Sequence, residues 1–156
     1  DAARYLKVFS FKSLDEIAAI TKEHYDNLGA RIAQKALAYE IVGLIHGEGK
    51  AEECKKMSEV LFSNDIKSLS KENIVELFGD LEVVQPKGLL LEDMLIAIHA
   101  ASSKREAREF INGNSVAING EKVTDLAHVV DDKDALFGEY VVIKRGKKNY
   151  YLVKFN

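Results

Sequence analysis

Residues Ser103–Gly120 read SKREAREFINGNSVAING, and two elements are legible in them. Ser103 and Glu106 form the S-x-x-E pattern that opens a helix. The helix predicted behind it runs from Lys104 to Asn112, with Gly113 as its C-cap. Lys104 and Arg105 therefore stand in the first turn, where the backbone dipole favours acidic residues. Arg108 follows one turn later on the same side. Cations placed against the dipole break a local rule, and the simplest use for them is to hold an anion such as phosphate. After Gly113 the period changes. Val116 and Ile118 alternate with smaller or polar residues, and Asn119-Gly120 is a strong two-residue hairpin signal.

The alternation continues towards the C-terminus. Strands predicted at Tyr140–Lys144 and Lys148–Phe155 flank Arg145-Gly146-Lys147 in a second hairpin. Lys144, Arg145, Lys147 and Lys148 crowd its tip beside Tyr150 and Tyr151, a mixture suited to phosphate contact and base stacking. Neighbouring strand residues point to opposite sides, so one of the two tyrosines faces the core. A further helix is expected over Leu90–Ala100. Residues 89–156 thus form a compact α+β domain, two helices against a small, mostly antiparallel sheet.

The first half reads as helices. One short helix covers Arg4–Phe9, and Ser13 with Glu16 opens another that turns Leu14, Ile17, Ala18 and Ile20 inward. From about Ile32 to Ile45, the residues Ile32, Ala36, Leu37, Ile41, Leu44 and Ile45 share a face, and Gly47 and Gly49 stop that helix. A fourth runs from about Lys50 to Phe62 with Ala51, Cys54, Met57, Val60 and Leu61 inward. Ser70 caps a short fifth that ends at Gly79. Residues 1–80 are expected to be a small helical bundle. The only proline, Pro86, and Gly88 mark a linker over 81–88. The fold class is α+β overall.

Composition bounds the function. With 47% hydrophobic and 30% charged residues in 156, the chain is of the folded, globular type. Its longest apolar runs, such as Leu89-Leu90-Leu91, are too short to span a bilayer, so no membrane partner is expected. A lone cysteine, Cys54 on an apolar stripe, fits a reducing, cytoplasmic setting. The net charge of −3 hides an asymmetry. Residues 1–84 hold 11 Lys+Arg against 15 Asp+Glu, while 85–156 hold 11 against 10. Any nucleic-acid site must therefore come from clustering rather than bulk charge. His24, His46, His99 and His128 show no metal-ligand spacing, and no glycine-rich nucleotide cradle occurs. No metal, no cofactor and no catalytic residue is expected in this stretch. Spacing alone points to a binding module.

The 103–120 stretch resembles the RNA-binding fold first seen in a small-subunit ribosomal protein, with its pattern S-x-x-x-A-R…I…G…V-x-x-N-G. Ser103, Ala107, Arg108, Ile111, Gly113, Val116, Asn119 and Gly120 fill it. Three further segments narrow the resemblance: YLKVFSFKSLDEI (Tyr5–Ile17), AQKALAYEIVGLIHGEG (Ala33–Gly49) and GEYVVIKRGKKNYYLVKF (Gly138–Phe155) look like the bacterial-type tyrosyl-tRNA synthetase family. The resemblance covers essentially the whole chain. It implies a helical anticodon-binding domain followed by a C-terminal RNA-binding domain of a class I ligase that uses ATP and Mg. Organellar members share the layout, so a mitochondrial setting is an alternative to the cytoplasm.

The HIGH-type and KMSKS-type signatures of the family's catalytic domain do not occur here. Lys56-Met57-Ser58 is followed by Glu59-Val60 and lies in a predicted helix. This stretch is expected to be catalytically silent and to be a monomer, with the family's dimer contact in the catalytic domain. The implied partner is tyrosine tRNA, held at the anticodon arm and the long variable arm. Lys104, Arg105 and Arg108 would meet backbone phosphates, with Lys122 beside them across the hairpin. Lys144, Arg145, Lys147 and Lys148 would form a second patch. The family places an acidic residue at the entry to the first helix for reading the anticodon; Asp1 matches it, and Asp is also an ordinary N-cap. General binding of structured RNA and a purely structural role are the alternatives.

Overall fold

A computed structural model describes residues 1–156. The chain divides into two compact units, Asp1–Glu59 and Val60–Asn156.

In the first unit, short polar caps separate amphipathic helices. Asp1 precedes α1 (Ala2–Phe9) and Ser13 precedes α2 (Leu14–Asp26). The Ser13–Glu16 capping box forms reciprocally: Ser13 Oγ accepts from the Glu16 N–H, and the Glu16 carboxylate accepts from the Ser13 N–H. A 3-10 turn then leads into α3 (Ile32–His46), and α4 (Glu48–Ser63) follows. Gly47 alone separates them; Gly49, expected to act as a stop, lies inside α4. Leu6, Ile17 and Ala33 are the buried centre of this unit, with Ile20, Ala36 and Leu37 packed around them. Leu14, expected to face inward, is 74% exposed, and Leu44 and Ile45 are exposed too. These positions satisfy the helical period of their segments without finding a neighbour to cover them.

The second unit begins before the predicted boundary. A 3-10 turn at Ile66–Ser68 and α5 (Lys71–Phe78), capped by Ser70 as predicted, belong to it. The 81–88 stretch, expected to be a linker, contains strand β1 (Glu82–Gln85). Val83 and Val84 suit a strand, and Pro86 ends it because it has no N–H to offer the ladder. There follow β2 (Leu89–Leu90), α6 (Leu91–Ala97), α7 (Lys104–Asn112), β3 (Val116–Ile118), β4 (Glu121–Lys122), β5 (Val129–Val130), β6 (Tyr140–Arg145) and β7 (Asn149–Phe155).

Five strands form one sheet in the order β1-β7-β6-β3-β4, antiparallel except where β1 runs parallel to β7. β2 and β5 pair separately, an addition that two-residue strands gave no periodicity to reveal. One face of the main sheet carries Val116, Ile118, Val141, Ile143, Val153 and Phe155, which pack with Leu91, Met94, Leu95, Ala107 and Ile111 of α6 and α7. The opposite face meets α5: the Phe78 ring lies 5.3 Å from that of Tyr150, and Lys71 pairs with Glu139. The sheet is therefore covered on both sides, which explains why Val142 and Leu152 are as buried as Val141 and Val153.

Candidate nucleic-acid interface

Ser103 Oγ accepts from the Glu106 N–H at 3.2 Å, fixing the start of α7 where the sequence places it. The reciprocal half of the box is displaced by one residue: the Glu106 carboxylate accepts from the N–H and hydroxyl of Ser102, both at 2.6 Å. Those hydrogen bonds hold the Glu106 carboxyl below its usual value, aided by the charge of Arg145.

The three cations of α7 differ in their surroundings. Arg105 is 90% exposed and meets only Glu109, at 3.1 Å. Arg108 is bound in a fork to Glu92 of α6, Nε to Oε2 at 2.5 Å and Nη2 to Oε1 at 3.0 Å. Lys104 Nζ lies 2.7 Å from Asp93 and 3.7 Å from Glu92. Arg108, together with the charge of Lys104, holds the Glu92 carboxyl below its ordinary value. Asp93 holds the Lys104 ammonium above its own. For Lys104 and Arg108 the anomaly read from the sequence, cations near the positive end of a helix, thus has a local physical answer in two carboxylates on the neighbouring helix, whereas Arg105 has only Glu109 of its own helix.

The other cations gather at one end of the sheet. Lys122 on β4, Ala117 on β3, Lys144 on β6 and Tyr150 on β7 are cross-strand partners in one row, so their side chains share a face. Lys144 donates to the Asn64 side-chain oxygen at 2.6 Å and lies over the Tyr150 ring. Arg145 points to the other face, donates to the Ala100 carbonyl at 2.7 Å and stacks over Phe110 of α7. It joins the two basic clusters that the sequence shows separately. Lys147 and Lys148 occupy the exposed β6–β7 turn.

Tyr151 packs against the α6–α7 core and Tyr150 against Phe78, so both rings have protein neighbours. The Asp1 side chain is exposed and makes no capping bond, although its carbonyl accepts from Arg4 and Tyr5. No group of three or more His, Cys, Asp or Glu side chains is arranged to hold a metal ion. No helix is long and apolar enough to cross a membrane. Sequence reasoning missed Glu92, Asp93 and Asn64, whose partners are remote along the chain.

A family model described as the tyrosine–tRNA ligase SYY-like C-terminal domain matches residues 72–153. Tyrosine–tRNA ligase 2 of Enterococcus faecalis is 44% identical over 158 residues, covering 99% of this chain and 38% of the relative. The tyrosine–tRNA ligase of Leuconostoc mesenteroides is 39% identical, again over 99% of this chain and 38% of the relative. The chain therefore spans well under half the length of these relatives. A solution structure of a tyrosyl-tRNA synthetase C-terminal domain is 33% identical and covers 59% of this chain and 95% of its own, with a TM-score of 0.49. Since the family model takes in more than half of its residues, the chain belongs to the tyrosine–tRNA ligase SYY-like C-terminal domain family.

Proposed function

We propose that this chain is a tRNA-holding portion of a tyrosine–tRNA ligase, binding tyrosine tRNA while the ATP-dependent chemistry takes place elsewhere in the protein. The observation that carries the reading is the gathering of Lys122, Lys147 and Lys148, none of them paired with a carboxylate, at the sheet end where Lys144 and Arg145 also stand. Phosphodiester oxygens are the ligands that such a patch suits, and contacts of this kind position RNA without reading its sequence. Arg105 adds an exposed cation on α7. Asp1 is the proposed anticodon reader, its exposed carboxylate able to accept two donors from one base edge.

Filter binding of the chain to tyrosine tRNA, to the same tRNA without its long variable arm, and to an unrelated hairpin RNA tests this. Tightest binding to the intact tyrosine tRNA is expected. Four phosphate contacts on single-stranded RNA correspond to a log–log salt slope of roughly −3. Lys147→Ala with Lys148→Ala should weaken all three RNAs alike and flatten that slope by about 1 to 2 units. Equal affinity for the three RNAs would favour general RNA binding, and no affinity for any would leave a structural role. Asp1→Asn should reduce discrimination against an anticodon-substituted tRNA; unchanged discrimination would remove Asp1 from the site.

A further inference from the structure

Glu92 is the only carboxylate buried in this chain, 5% exposed at the start of α6. Leaving a carboxylate out of water is unfavourable unless charged donors surround it. Here Arg108 and Lys104 do so, yet their side chains remain 55% and 57% exposed. The contact is one-sided. Arg108 spends Nε–H and one Nη2–H on Glu92, and a guanidinium has five donors in a fixed plane. Three N–H groups are left over, with their directions fixed by the fork.

We propose that Glu92 is a positioning residue for RNA: it holds Arg108, and with Asp93 steadies Lys104, so that their remaining donors meet backbone phosphates. This rests on the tRNA-binding reading above. Preorganisation lowers the entropy lost when a long side chain is ordered on binding. The arrangement also separates positioning from charge by sign. Removing the Glu92 charge makes the surface more positive, which by itself strengthens attraction to RNA. Loss of positioning weakens it.

The experiment measures tyrosine tRNA affinity of the full chain, Glu92→Gln, Arg108→Ala, the double variant and Arg108→Lys, with folding of each verified by circular dichroism. Glu92→Gln is expected to bind about tenfold more weakly despite its added positive charge. The double variant should bind at most slightly more weakly than Arg108→Ala, by the share of Glu92 in steadying Lys104, and well short of the sum of the two single losses. Arg108→Lys keeps the charge but not the fork, and should lose as much affinity as Arg108→Ala; it tests the proposal independently if Glu92→Gln does not fold. Equal or tighter binding by Glu92→Gln, additive losses in the double variant, or rescue by Arg108→Lys would overturn the inference while the unsubstituted chain still binds. Failure of the unsubstituted chain to bind tRNA would overturn the tRNA reading itself.

Discussion

At the scale of single residues, the Asn119-Gly120 turn shows how a local signal acquires a non-local purpose. Both residues have positive φ, 49° and 90°, as a tight hairpin between β3 and β4 requires. Asn119 is buried and both ends of its amide are engaged: Oδ1 accepts from the Val142 N–H at 2.9 Å, and Nδ2 donates to the Asp134 carbonyl at 2.5 Å. A Cβ on Gly120 would overlap the Asn64 carbonyl oxygen. Gly120→Ala therefore combines backbone strain with a backbone clash and should destabilise the second unit by about 3 kcal/mol. A urea melt that moved by less than about 1 kcal/mol would show that the 64–65 segment yields instead. Asn119→Ala leaves the Val142 N–H unpaired and should lose about 2 kcal/mol in the same assay. The turn was legible in the sequence because its signal lies within two residues. The approach of Asn64 was not, because nothing near Asn64 announces its partner.

At the scale of elements, α6 and α7 are joined by apolar packing and by the Glu92–Arg108–Lys104 network. The folded state holds the Glu92 carboxyl below its ordinary value of 4.5. The unfolded chain then takes up a proton at a pH where the folded chain does not. The network's contribution to stability is accordingly present above 4.5 and is lost as pH falls through the lower folded value. Urea melts across the acid range should show stability falling with pH. Glu92→Gln should be less stable at neutral pH, with the gap between the two proteins closing on acidification. A gap that stayed constant would show that Glu92 does not titrate differently in the two states. Caps and hairpins, set by a few adjacent residues, were readable at this scale. Strand β1 was not: Glu82–Gln85 is short, adjoins Pro86, and becomes a strand only by pairing with β7 at the far end of the chain.

At the scale of the whole molecule, the two units differ in how much they bury. The second has a fifteen-residue apolar core and a sheet covered on both faces, whereas the first buries five apolar residues, Leu6, Ile17, Ala33, Ala51 and Met57. Small units bury a smaller fraction of their surface and are correspondingly marginal. The first also contains every buried side-chain polar atom without a hydrogen-bond partner: Thr21 Oγ1, His24 Nδ1 and Gln34 Oε1. Each such group costs about 1–3 kcal/mol. Hydrogen exchange should therefore show amides of α1–α3 opening at lower free energy than those of β6 and β7. Thr21→Val removes one unpaired hydroxyl while keeping the side-chain shape, and should raise protection of α1–α3 by about 1 kcal/mol with β6 and β7 unchanged. Equal protection across both units would mean that they unfold as one cooperative body. A loss of protection in Thr21→Val would mean that the hydroxyl has a partner in solution. The expected result places the weaker cooperativity in the helical unit and the firmer packing in the sheet that carries Lys144 and Arg145.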